Sequence, residues 1–299
     1  MTSDWNESED EWMARYGIDD ELADQMGEHQ ERGFHALEYG PANEAVQSFL
    51  WLVEQWNRLA GPCDEETMVQ RAFLARAFAR DGQVLLAADE LRRLTADRAA
   101  VFGEDDPQTL RTRGQLGQVL ARNGYAEDGI AVLEVLLEDR LRLYGPDAPP
   151  TFDSMGNLAE AYLLDHRYVE GRDLYADLLE RRTRVLGAEH ADTTRTYLNW
   201  SAARAKACAD PAAAVSMLEE AVDHLEEVAG ATDDSTLTAR GHLADAHLRN
   251  GDPDAAVEVL KSLLIDRTML LGPEHPDTLR SVQMLAEAES ALRDQHGWN

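Results

Sequence analysis

Apolar and small side chains return along this chain at helical spacing. Leu74-Ala75-x-x-Phe78, Leu116-Gly117-x-x-Leu120 and Leu158-Ala159-x-x-Tyr162 each set a large, a small and a second large residue on one helix face. A second helical stretch follows each of them, marked by a small residue and a large one four positions later. These pairs are Ala45/Phe49, Ala87/Leu91, Gly129/Leu133, Gly171/Tyr175, Ala214/Leu218 and Ala256/Leu260. Between the two stretches lies a turn with Gly40, Gly82, Gly124 or Gly251, and His166 and Ala209-Asp210-Pro211 stand in where glycine is absent. The pattern predicts helix A, turn, helix B, and no strand.

The unit repeats. A glycine followed six residues on by threonine recurs at Gly61/Thr67, Gly103/Thr109, Gly145/Thr151, Gly187/Thr193, Gly230/Thr236 and Gly272/Thr278, so the threonines step by 42, 42, 42, 43 and 42. The extra residue belongs in the Cys208 to Pro211 turn, because the helices on either side keep register and turns tolerate insertion. Such units bury their apolar faces only by stacking on their neighbours. Six helix pairs are predicted over 26–60, 67–102, 109–144, 151–186, 193–229 and 236–271, with a single capping helix over 278–293. Residues 1–25 form an acidic, tryptophan-containing extension and 294–299 a short tail.

Single positions refine this plan. Gly33, Ala75, Gly117, Ala159, Ser201, Ala244 and Ala286 recur where a missing side chain lets two helix backbones approach. Pro107, Pro150 and Pro276 mark the first turn of helix A, where the absent N–H would have been unpaired. Arg98, Arg140, Arg182 and Arg267, late in helix B, are assigned to structure: a cation there complements the helix dipole and caps carbonyls of the following turn.

These spacings resemble the tetratricopeptide repeat family, in its longer, kinesin light chain-like form. The inter-repeat turn Leu271-Gly272-Pro273-Glu274-His275-Pro276-Asp277-Thr278-Leu279 reads much like that family's, and the resemblance covers roughly residues 26 to 293. It implies an all-α, right-handed α-solenoid whose A helices line a concave groove that holds a protein or peptide segment.

Charge narrows the partners. Against 28 Lys and Arg stand 57 Asp and Glu, a formal net charge of −29, which argues against nucleic acid and against an anionic membrane. Cys63 and Cys208 lie far apart without CxxC spacing, so neither a disulfide framework nor a metal site is expected, and a cytoplasmic setting fits. No leader-like or membrane-spanning pattern is present in the sequence. Lysine occurs only at Lys206 and Lys261, and this arginine bias fits a bacterial, actinobacterial-like composition. Oligomeric state is not fixed by the sequence.

On helix A, residues seven and four apart share a face. That face carries Arg76 and Arg80, Arg111, Gln118 and Arg122, Arg195 and Lys206, then Arg249 and Arg280, so cations gather on one stripe of an acidic protein. The stripe predicts an acidic peptide as ligand, held by bidentate, charge-assisted hydrogen bonds. Asp153 and Glu160 interrupt it. Asn157 and Asn199 lie where the resemblance implies a contact to a ligand backbone. In the N-terminal extension Trp5 and Trp12 stand among acids, and they resemble the tryptophan-acidic peptides that kinesin light chain repeats bind. That segment is either an internal ligand that autoinhibits the groove, or a cap in which Ile18, Leu22 and Met26 extend the first helix. The alternative to a binding adaptor is an assembly protein that oligomerises through its terminal repeats.

Catalysis has no sequence support. His242, Asp245 and His247 sit close together but lack a third ligand at metal spacing, and no phosphate-cradling loop or nucleophile motif occurs. The chain is expected to work without enzyme activity, metal or cofactor.

Overall fold

The computed structural model describes residues 9–296, with side chains over 13–295. Within them the chain is all α-helical, with no strand. Two compact units are present, Met1–Leu143 and Tyr144–Asn299.

The first unit holds α1 (Glu9–Tyr16), α2 (Asp20–Glu38), α3 (Ala42–Leu59), α4 (Glu65–Arg80), α5 (Val84–Phe102), α6 (Pro107–Arg122) and most of α7 (Ala126–Tyr144). The second holds α8 (Pro149–Leu164), α9 (Tyr168–Leu186), α10 (Ala191–Ala207), α11 (Pro211–Val228), α12 (Asp234–Arg249), α13 (Pro253–Leu271) and α14 (Pro276–His296). Consecutive helices pack on one another from α2 to α6 in the first unit, with α7 close against α6 at Gly129 and Gly117, and from α8 to α14 in the second, which is the stacking that the period predicts.

Helix A starts two residues before its landmark threonine because the cap lies further upstream. The Asp64 and Asp106 carboxylates accept the Glu66 and Gln108 N–H groups at 3.0 and 2.8 Å, and the His190 and His275 rings cap α10 and α14 in the same way. The threonine then turns inward. All six landmark threonines are buried, and the Thr151 and Thr236 hydroxyls donate to the Gly145 and Gly230 carbonyls at 2.7 and 2.8 Å. The Gly-x5-Thr spacer is thus a hydrogen-bonded connection in those two repeats. Gly103, at φ 102, ends α5 in a conformation that L side chains rarely adopt.

The first repeat begins earlier than the pattern suggests. Asp19 accepts the Leu22 N–H at 2.9 Å, so α2 starts at Asp20 rather than near Met26. Ile18 and Met26 are buried in the first core with Phe49, Leu52 and Trp56, and Met13 and Tyr16 pack against it. The Tyr16 ring meets Trp56 edge-on at 5.2 Å between centroids. Residues 13–26 therefore contribute to the core of the first helix pair.

Three of the four late helix B arginines are structural, as read from their position. Arg98, Arg182 and Arg267 are buried, and each reaches 14 residues ahead to a helix A hydroxyl: Thr112 at 2.5 Å, Thr196 at 2.8 Å and Ser281 at 2.9 Å. Each also donates to a carbonyl in the next helix's first turn, at Gln108, Asp192 and Asp277. Burial lowers the pKa of all three. A second set went unnoticed in the sequence. Arg71, Arg113 and Arg240 on helix A pair with Asp97, Asp139 and Asp266, 26 residues on, at 2.6, 2.6 and 2.8 Å. The same interval in three repeats was a readable signal.

Candidate functional site

In the first unit, helices α4 and α6 present their positions seven and four apart to a common space floored by α5. The result is an open groove of about 470 Å³. Arg76 and Arg80 line it from α4, and Gln115, Gln118, Arg122 and Asn123 from α6. Ala79, Leu91 and Val119 supply apolar surface, and no Asp or Glu is among the lining residues. Arg80 also donates to the Ala36 carbonyl of α2, which fixes its guanidinium at the groove edge.

The second unit brings together Lys206 and Arg249. With His242 and Cys208 they line a smaller pocket of about 140 Å³ framed by α10, α11 and α12. Arg249 is ion-paired with Asp245 one turn earlier. His242 is pushed down to a pKa of about 4, chiefly by burial and then by the Lys206 charge, with Arg280 and Arg249 acting in the same direction and Asp245 against it.

The remaining sequence candidates are dispersed. Arg111, Asn157, Arg195 and Asn199 line neither of these pockets. Arg195 is tied to Asp192 on its own helix at 2.5 Å, and Arg111 is exposed near buried Arg98, whose charge it opposes. Asn157 and Asn199 are half-buried. Trp5 and the Trp12 side chain lie outside the described residues. Sequence reading missed Gln115 and Asn123 as groove residues, and it set His242 at a groove-facing or packing position without giving it a role. Gln115 and His242 share one register, six residues past their landmark threonines, and that was the available clue.

Among the described residues no group of three or more His, Cys, Asp or Glu is placed to hold a metal, and no helix is long and apolar enough to cross a membrane.

Residues 151–227 and 236–277 match family models described as tetratricopeptide repeat. Those two segments carry tetratricopeptide repeats, and the structural neighbours of the chain include kinesin light chain-like repeat proteins. One is BtubC (BKLC) from P. vanneervenii, with a TM-score of 0.60 at 18% identity over 79% of this chain and 94% of that one. Another is a Podosopora anserina kinesin light chain with nearly identical TPR-like repeats, at 0.56 and 22% over 68% and 95%. A Rap protein complexed with competence and sporulation factor gives 0.54 at 10% over 96% and 80%. At these identities the likeness is one of fold. No curated protein sequence matches the chain significantly.

Proposed function

We propose that the protein is a non-catalytic scaffold that binds an acidic peptide segment in the groove of the first unit. One observation carries this reading. Exposed arginines in this chain commonly face carboxylates, as Arg58 does Glu54, Arg93 does Asp89 and Arg142 does Asp105, yet the groove that Arg76 and Arg80 enter from α4 has no Asp or Glu among its lining residues. Such a space favours a ligand that brings its own carboxylates. The apolar floor of Ala79, Leu91 and Val119 suits an apolar anchor between them. The fold agrees with this reading, since a neighbour of the same fold, the Rap protein, was solved in complex with a factor. The N-terminal segment, with Trp5 and Trp12 among acids, is the internal competitor for the same groove.

The test is a titration with a short peptide carrying tryptophan among Asp and Glu, alongside a counterpart in which Asn and Gln replace the acids. Binding that needs the acids and weakens with salt supports the proposal. Equal binding of the neutral counterpart contradicts it.

A second reading, self-association through the last repeat, is favoured by Ile265 and Met269. Both are exposed on α13, at registers where other repeats carry residues such as Glu180 and Glu138, or Arg184 and Arg142. Light scattering across a dilution series separates the two, because a dilution-stable oligomer supports assembly.

A further inference from the structure

The groove of the first unit has a register twin in the second. Counted from the landmark threonines, Lys206 stands in the place of Arg80, Arg249 in that of Arg122, and His242 in that of Gln115. All three line the pocket framed by α10, α11 and α12. Two substitutions give this copy a different character. Ala202 occupies the register of Arg76, Gln118, Glu160, Asp245 and Glu287, so a long polar side chain is missing from one wall. An imidazole replaces the amide at the other.

The charge around that imidazole is unbalanced. Lys206 bears on it from α10, Arg249 from its own helix and Arg280 from α14, while the opposing carboxylate, Asp245, is already paired with Arg249. Cys208 lines the pocket too, with its thiol donating to the Asp210 carbonyl at 3.4 Å. The α11 wall, Pro211, Ala214 and Leu218, carries no charge. Lys206 and Arg249 are exposed at the rim, so their attraction for an anion is moderated by solvent, and the apolar α11 wall and the buried His242 ring limit how large that anion can be.

We infer that this pocket is a second anion site, which takes one compact carboxylate beside Lys206 and Arg249 and binds it more tightly as the solution becomes more acidic. The inference stands on the second unit alone and does not depend on the first-unit groove. Its acid dependence follows from linkage: burial does most to keep the His242 ring neutral and three cations add to it, and an anion beside the ring offsets those cations, so binding and proton uptake favour one another. In the first unit Gln115 has no proton to gain, so its groove lacks this dependence.

The probe is trifluoroacetate, a compact carboxylate that stays ionised through the relevant range, followed by fluorine NMR on the full chain. Binding roughly fourfold tighter at pH about 5 than at pH about 7.5 is expected. The His242 ring-proton resonance should titrate at higher pH when the probe is present, a readout that needs no variant. Lys206→Met and Arg249→Met should each weaken binding, and His242→Gln should retain it while removing the pH dependence. Arg76→Glu with Arg122→Glu in the first unit should leave the His242 response unchanged. Affinity that is flat with pH in the parent, or a His242 titration that ignores the probe, overturns the inference. Equal binding by Lys206→Met and Arg249→Met also overturns it.

Discussion

Gly117 on α6 and Gly129 on α7 face one another so closely that a Cβ on Gly129 would lie 2.7 Å from the Gly117 carbonyl oxygen. It would also lie 2.7 Å from the Ala121 nitrogen, so backbone, which cannot swing aside, blocks it on two sides. Gly129→Ala should therefore lower stability by about 2–3 kcal/mol, as overpacking against fixed atoms does. Gly156→Ala is the control, because its nearest neighbour would be Leu178 Cδ2 at 3.7 Å. There a helix-interior alanine should stabilise by about 0.5–1 kcal/mol. Urea unfolding midpoints that move together in the two variants would contradict this reading of the helix crossing.

The buried Arg182 guanidinium depends on the Thr196 hydroxyl at 2.8 Å, and its Nε has no hydrogen-bond partner. Thr196→Val should cost about 1–3 kcal/mol by removing one acceptor from a buried charge that keeps only the longer contacts to the Asp192 carbonyl and Asp153. Adding Arg182→Met should recover much of that loss, since an apolar chain of similar length needs no acceptor. A double-mutant cycle measures the coupling, and strict additivity would mean that the contact contributes nothing.

His242 should make the protein acid-sensitive. Its folded pKa of about 4 lies below the ordinary histidine value, so the unfolded chain takes up the proton first as pH falls. The stabilisation is fully present above pH about 6.5 and is lost progressively down to about 4, on the order of 2–3 kcal/mol. Thermal midpoints of the parent and His242→Gln should diverge across that window. Parallel curves would show that the ring titrates normally.

The N-terminal segment should separate into two parts. Deleting residues 1–17 removes Met13 and Tyr16 from the first core and should cost about 2–4 kcal/mol. Deleting residues 1–8 together with Trp12→Ala should, if the tail competes for the groove, strengthen binding of an external acidic peptide. A peptide affinity unchanged by the shorter deletion removes the autoinhibition reading.

Much of the fold was legible because a 42-residue period repeats its evidence: an ambiguous small residue in one unit is resolved by its equivalents in the others. His166 illustrates this. It adopts φ 59 where the turns at Gly82, Gly124 and Gly251 use a positive-φ glycine, and only the register of those glycines marked it as a turn residue. The start of α2 was harder to place, because the first repeat has no landmark threonine and its boundary is set by the Asp19 cap and by Ile18 burial. The site was legible only in part. Helical spacing identifies residues on one face, and it grouped Arg76, Arg80, Gln118 and Arg122 as the structure does. It cannot show that Arg195 spends its charge on Asp192, because pairing depends on side-chain reach as well as on face.

The most direct test of groove binding is fluorescence anisotropy of a labelled tryptophan-acidic peptide with the parent and with the combined variant Arg76→Glu, Arg80→Glu and Arg122→Glu. Losing two or more charge-assisted hydrogen bonds, each about 1.5–3 kcal/mol, should weaken binding at least roughly a hundredfold while helical content stays unchanged. A folded triple variant that binds the peptide as tightly as the parent would place the site elsewhere.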